Sequence, residues 1–251
     1  MQFKDNTILI TGGSSGIGMA MAERFLELGN EVVVTGRREA ALSAFKARQP
    51  RVHTKVSDAG NAQARVELAA WVVREFPRLN VLINNAGIQR KPSLREAEPW
   101  SDTAAEIDIN LGAPIHLSTL LVPHLQKQPS AQIMNVSSGL AFVPLAHLSV
   151  YCATKAALHS FTLSLREQLK PTGITVIEII PPAVKTNLGG AHDFGEELAE
   201  YVDSVFAQLA TDAPELTFGN SARTSQMSRA DADQMFARMN GAGWIAPGAK
   251  K

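Results

Sequence analysis

Cysteine is almost missing from this chain. Cys152 is the single one in 251 residues, so no disulfide can close within it. A lone thiol fits a reducing compartment. An excess of charge is missing too: 24 basic residues stand against 24 acidic ones. That balance gives no electrostatic case for nucleic acid or an anionic membrane as the main partner. No apolar run approaches the ~20 residues of a membrane span. The start, Met1-Gln2-Phe3-Lys4-Asp5, lacks the basic-then-apolar order of a secretory leader. These absences lead to the expectation of a soluble, cytoplasmic chain with no nucleic-acid and no membrane partner. Glycine-rich stretches do not end in Gly-Lys-Ser/Thr, so a kinase-type P-loop is excluded. No Gly-x-Ser-x-Gly elbow surrounds Ser137 or Ser138, which argues against a serine hydrolase. No metal-ligand cluster is visible along the sequence. Nor is there a repeat, a low-complexity tract or a linker, so residues 1–251 read as one domain.

What the chain does have is apolar residues, 45% of the total, enough for one large core. They fall in short Val- and Ile-rich runs: Thr7 to Thr11, Val32 to Thr35, Val52 to Val56, Val81 to Asn84, Gln132 to Val136 and Thr175 to Ile180. Most do not alternate, as expected of parallel strands covered on both faces. Helical patterns lie between them, at about 16–28, 38–48, 61–76, 102–127 and 151–170. Alternating strands and helices predict an α/β fold: a doubly wound, mostly parallel Rossmann-type sheet of six or seven strands with helices on both faces. The expected strand order is 3-2-1-4-5-6, with a seventh strand near Glu215 to Phe218. Residues 186–240 read as a substrate loop and C-terminal helical region. Helices are expected at 193–209 and 228–239, an irregular polar stretch from Asn220 to Gln226, and a loosely held tail from Gly241 to Lys251.

The first strand runs into Thr11-Gly12-Gly13-Ser14-Ser15-Gly16-Ile17-Gly18 and then a helix. Glycines there permit a tight turn and let a pyrophosphate reach the backbone, while the helix start supplies unpaired N–H groups. A turn that merely packs the helix on the sheet is the alternative reading. Strand two ends in Gly36-Arg37-Arg38, where an NAD-binding protein of this fold usually places an acidic side chain on the ribose 2′-hydroxyl. A guanidinium there can pair with a 2′-phosphate, so NADP (NADPH) is favoured over NAD. Further on, Tyr151 and Lys155 stand four apart. On a helix they share a face, one turn apart. A cation about 4 Å from a phenol contributes ~4 kcal/mol to the phenolate at an effective dielectric near 20. Opposed only by desolvation, that could lower a phenol pKa of ~10 by as much as ~3 units, within reach of acid–base work at neutral pH.

Four motifs, Thr11-Gly12-x-x-x-Gly16-x-Gly18, Asn84-Asn85-Ala86-Gly87, a serine before the tyrosine, and Tyr151-x-x-x-Lys155, occur together and in order. In this the chain resembles the short-chain dehydrogenase/reductase family over residues 6 to about 188. The resemblance is closer to oxidoreductases named for D-alanine esterification of cell-wall polymers. It is carried by Ile83-Asn84-Asn85-Ala86-Gly87-Ile88-Gln89-Arg90, Ser138-Gly139-Leu140-Ala141-Phe142, Tyr151-Cys152-Ala153-Thr154-Lys155 and Pro181-Pro182-Ala183-Val184.

The resemblance implies an enzyme that interconverts a carbonyl and an alcohol, with the pro-S hydride of NADPH going to carbon. It implies a catalytic tetrad of Asn110, Ser138, Tyr151 and Lys155. Tyr151 is then the general acid and base, Ser138 the partner of the substrate oxygen, and Asn110 the holder of a relay water. Gly12, Ser14, Ser15, Gly16, Ile17 and Gly18 would cradle phosphates, Arg37 and Arg38 the 2′-phosphate, and Asn85, Ala86 and Gly87 the adenosine side. Lys155 and Tyr151 would meet the nicotinamide ribose, and Val184 and Thr186 the carboxamide. Two departures stand out: Lys55 where the family often has aspartate, and Pro182 where it usually has glycine. The expected substrate is a small carbonyl or alcohol of apolar or mixed polarity, walled by Leu140 to His147 and by Ala183 to Phe194. The resemblance also implies a homodimer or homotetramer pairing through helices 102–127 and 151–170. Rival readings are a catalytically silent NADP-binding regulatory or scaffold protein, and an epimerase or dehydratase using the same tetrad.

Overall fold

Burial on both faces selects the strands. In the computed structural model, which describes residues 4–97, 99–190 and 192–241, all four residues of β1 (Thr7–Ile10) are buried. So are all six of β4 (Leu79–Asn84) and all five of β5 (Gln132–Val136). With β2 (Glu31–Gly36), β3 (His53–Val56), β6 (Thr175–Ile180) and β7 (Glu215–Thr217) they form one sheet of order β3-β2-β1-β4-β5-β6-β7. Every described pairing is parallel. The reversal of strand order lies between β1 and β4, where their C-terminal ends open a crevice for ligands.

Two helical layers cover the sheet. On one face α1 (Gly16–Glu27), α2 (Glu39–Arg48) and α7 (Leu198–Leu209) pack on Ile8, Ile10, Val34 and Ile83. On the other, α3 (Ala62–Glu75), α5 (Ala113–Leu125) and the end of α6 (Ser149–Leu169) pack on Leu9, Val33, Leu82 and Ile133. Neighbouring residues of one strand thus serve opposite layers, which is why the strand sequences are apolar without alternation. No described helix is long and apolar enough to cross a membrane.

Three expectations need correction. The helix expected at 102–127 is two helices, α4 (Trp100–Ile107) and α5, joined by a π-helical turn at Asp108–Gly112. Pro114 explains the break, because it has no N–H for the Asn110 carbonyl and its ring crowds that oxygen. The helix expected at 193–209 begins only at Leu198. Gly195 has φ +107°, and Glu196 is paired with Val184 in an isolated bridge, so the chain before it is extended. The irregular stretch at 220–226 contains a short helix, α8 (Asn220–Thr224). The last helix, α9 (Arg229–Asn240), is capped by Ser228, whose hydroxyl accepts the Asp231 N–H. Of the tail from Gly241 to Lys251, residues 242–251 lie outside the described residues.

Candidate active site

The turn after β1 is held from below by the end of β4. Thr11 Oγ1 accepts the backbone N–H groups of Asn85 and Ala86, each at 3.0 Å. Asn85 Nδ2 donates to the carbonyls of Thr11 at 2.9 Å and Gly12 at 3.2 Å. Asn85 therefore shapes the glycine turn with its side chain. Gly12 has φ +66°, and a Cβ there would lie 2.8 Å from Ala86 Cα. At Gly18 a Cβ would lie 2.3 Å from Asn85 Nδ2 and 2.8 Å from the Gly12 carbonyl oxygen. Gly18→Ala should accordingly displace Asn85 and open the turn, lowering the melting temperature by about 3–8 °C through overpacking. A dinucleotide titration of the same variant should show at least about tenfold weaker binding. An unchanged melt and titration would count against this role for Asn85.

Above the turn, Gly16 lies under Thr186, with 3.5 Å between a built Cβ and Thr186 Cγ2. Ser15 is the exposed N-cap of α1, and Ile17 packs against the core beneath. Ser14 stands beside Gly36, where a Cβ would come within 2.9 Å of Ser14 Oγ. Arg37 and Arg38 follow, both exposed, at the tip of β2. A glycine cradle at a helix start with two guanidinium groups beside it fits a phosphorylated dinucleotide. Lys55 lies on β3, opposite Thr35, with its ammonium 5.2 Å from the centre of the Trp71 ring. Val184 is 5% exposed and buries its side chain in the core behind the turn.

Gly87 links this end to the proton chemistry: a Cβ there would lie 3.4 Å from Asn110 Oδ1 and 3.7 Å from Lys155 Nζ. Asn110 is fully buried in the π turn. Its Oδ1 accepts the Ile88 N–H at 2.9 Å, and its Nδ2 donates to the Ile88 carbonyl at 2.9 Å and to Thr154 Oγ1 at 3.2 Å. The asparagine thus fixes the loop after β4 against α6. Ser138, Tyr151 and Lys155 are buried as well. Ser138 follows β5 and accepts the Leu140 N–H at 3.1 Å, and its hydroxyl lies close enough to the Tyr151 phenol to lower its pKa. Lys155 Nζ donates to the Val136 carbonyl at 2.8 Å and lies 5.6 Å from the centre of the Tyr151 ring.

The protonation balance differs from the sequence expectation. Burial pushes the Tyr151 phenol well above its ordinary value, and the nearby Ser138 hydroxyl offsets only part of that. Burial likewise draws Lys155 down to about 8, against the pull of Glu178 and Glu106. Desolvation is the largest cause for each because both groups are buried. In the polypeptide by itself burial favours the protonated phenol at Tyr151.

Several supporting residues carry no sequence motif. Ser137 Oγ donates to Glu178 Oε1 at 2.5 Å, and Glu178 Oε2 meets His159 Nδ1 at 2.8 Å. The carboxylate raises the pKa of His159 through that bond. This chain joins β5, β6 and α6 directly behind Ser138. Glu215, opposite Glu178 on β7, completes a group whose ligand atoms lie within 4.8 Å of one another. Here the fold assembles a potential metal-ligand cluster that is invisible along the sequence. Ser137 and His159 already occupy Glu178, so an ion pair accounts for the arrangement. The C-terminal helices act as buttresses. Ser221 Oγ donates to the Ile180 carbonyl at 2.5 Å, and α8 packs on the turn at Gly139. Asn240 accepts the Ala146 N–H at 2.6 Å and donates to the Pro144 carbonyl at 3.1 Å. They hold the segment 139–148, whose Leu140 and Leu145 pack around Tyr151, Cys152 and Leu148. His147 in that segment is exposed.

Comparison with known proteins agrees with this architecture. Residues 6–196 match the family model described as short chain dehydrogenase. The uncharacterized oxidoreductase DltE of Bacillus subtilis is 46% identical over 248 residues, covering 96% of this chain and 98% of that one. The NADP-dependent 3-hydroxy acid dehydrogenase YdfG of Salmonella typhimurium is 33% identical over 178 residues, covering 70% of this chain and 72% of its own. Among solved structures, a short chain dehydrogenase from Burkholderia cenocepacia in complex with NADP superposes with a TM-score of 0.83 at 28% identity, covering 95% of this chain and 99% of that one. With a family match over most of its length and a relative of near-equal extent, this chain belongs to the short-chain dehydrogenase family of oxidoreductases.

Proposed function

We propose that the chain is an NADP-dependent oxidoreductase that interconverts a carbonyl and an alcohol on a small molecule. The observation that carries the reading is the buried Tyr151 phenol near Ser138, with Lys155 one turn along α6 and linked to the glycine turn through Gly87 and Ala86. Bound NADPH supplies the hydride to the carbonyl carbon. Tyr151 gives its proton to the carbonyl oxygen, so its O–H bond breaks as the product O–H forms. Ser138 donates to the same oxygen and stabilises negative charge as it develops. Lys155 holds a positive charge near the phenolate that Tyr151 becomes, and Asn110 fixes the backbone at Ile88 beside it. In the oxidative direction the phenol must first lose a proton that burial helps it keep, so oxidation should quicken as pH rises.

Arg37 and Ser14, at the tip of β2, support NADP over NAD, and the NADP-dependent relative points the same way. Arg37→Glu should weaken NADPH binding by about 10–100-fold, the loss of one or two charge-assisted hydrogen bonds. Titration of both dinucleotides tests this, and wild-type binding of NADH as tight as NADPH would overturn the preference. A homodimer or homotetramer in a cytoplasmic setting belongs to the same reading. Trp100 on α4, Ile115 on α5 and Leu163 on α6 stand exposed along the helices that would pair.

A further inference from the structure

Glu106 lies on α4, one helical turn before Asn110, and no sequence pattern marks it. It is 1% exposed. Its Oε1 accepts the Arg90 backbone N–H at 3.1 Å, while its Oε2 is buried with no hydrogen-bond partner. A buried carboxyl with one oxygen unmet is costly, and such a group in a native fold calls for an explanation. Two features supply one. The helix packs against α6, which carries Tyr151 and Lys155. The side chain also borders a cavity of about 260 Å³ lined by Arg90, Lys91, Pro92, Asp102 and Thr103. Arg90 and Asp102 pair at 3.0 Å there, both part-exposed, so the cavity meets solvent.

We propose that Glu106 is a proton-relay carboxyl that connects the Tyr151–Lys155 pair to solvent through the Arg90–Asp102 cavity. The inference rests on the oxidoreductase reading and extends it. When Tyr151 gives its proton to substrate, the phenolate takes one from the Lys155 ammonium. The resulting amine takes one from the Glu106 carboxyl through water, and the Glu106 carboxylate recovers its proton from solvent in the cavity. One proton enters for each one given to substrate, and every O–H or N–H broken is matched by one formed. Oxidation runs the same path outward. Arg90 and Lys91 from the loop after β4 and Asp102 on its own helix share the cavity with Glu106, and Tyr151, Cys152 and Lys155 on α6 interact with it electrostatically. Burial raises the Glu106 pKa, and Arg90 and Lys155 offset part of that rise.

Glu106→Gln is the test, because it keeps the side-chain size and the acceptor for Arg90 N–H. Difference infrared spectra of the wild type should show a carboxyl band that titrates above the ordinary carboxylate range and is missing from the variant. With a carbonyl substrate, the variant should turn over about tenfold slower, with a larger solvent isotope effect and a shifted pH profile. Its NADPH affinity and melting temperature should stay at wild-type values. Wild-type turnover with an unchanged pH profile, or the absence of any titrating band lost on substitution, would overturn the relay. Tyr151→Phe separates the two claims. If it abolishes turnover while Glu106→Gln does not slow it, only the relay fails. If Tyr151→Phe leaves turnover intact, the oxidoreductase reading fails and the relay with it.

Discussion

Tyr151→Phe should lower kcat by about 10²–10⁴-fold while leaving the fold in place. The substitution removes one oxygen and keeps the ring, which packs among Leu140, Leu145, Leu148 and Cys152. Stability should therefore hold, since the phenol is buried and its loss removes a desolvated polar group. Ser138 would keep its contact with Leu140 N–H and could still polarise a carbonyl. It has no proton of suitable acidity to replace that of Tyr151, so the residual rate should be small. The paired measurement is steady-state turnover and a thermal melt on the same preparation. A fall in kcat with an equal fall in melting temperature would indicate damage to the fold instead of lost acid catalysis.

Lys155→Met is expected to abolish turnover to a similar extent and yet to stabilise the protein. An ammonium ordinarily near 10.5 is drawn to about 8 at this site. At about 1.36 kcal/mol per unit, that corresponds to about 3 kcal/mol of cost for keeping the charge buried at neutral pH. Between about pH 8 and 10.5 the unfolded chain binds a proton at this residue that the folded chain does not. Stability from this group therefore rises with pH through that window. Below about pH 8 both states are protonated and the full cost stands. Methionine removes the charge and keeps much of the volume, but it leaves the Val136 carbonyl without its donor. The net gain should be on the order of 2 kcal/mol, or about 4–8 °C in melting temperature at pH 7. Across the alkaline window the wild type should close part of that gap. A variant that melts lower than wild type at pH 7 would show that Lys155 earns its place through attraction to Glu178 and Glu106, not despite its burial.

Short-range patterns carried most of what could be read in advance. The apolar runs reach strands because parallel strands are buried on both faces, and the glycine turn stands where β1 meets α1 because only glycine fits the approaches at Gly12 and Gly18. Tyr151 and Lys155 share a face because the helix begins at Ser149. Other parts depend on partners far apart in the chain. Glu106 gains its meaning from burial beneath Arg90 and beside α6, and Glu178 from Ser137, 41 residues away. Those contacts leave no spacing to detect. The π turn at Asp108–Gly112 was half legible: Pro114 announces a break, but not that Asn110 turns its side chain to hold Ile88. The helix α8 was missed because four polar residues and one alanine show no apolar period, and it is fixed instead by Ser221 on the Ile180 carbonyl. The upward shift of Tyr151 in the polypeptide alone was not legible for a related reason. Charge could be counted from sequence, whereas the depth of burial that outweighs it could not.

Hydride transfer itself is the most direct test. Wild-type protein, given NADPH carrying deuterium at the transferable position and a panel of small carbonyl compounds, should yield at least one alcohol with deuterium on the carbinol carbon, one for each NADPH consumed. Tyr151→Phe should yield almost none. If no carbonyl in the panel acquires deuterium from the wild type, or if Tyr151→Phe transfers it equally well, the proposed chemistry is contradicted.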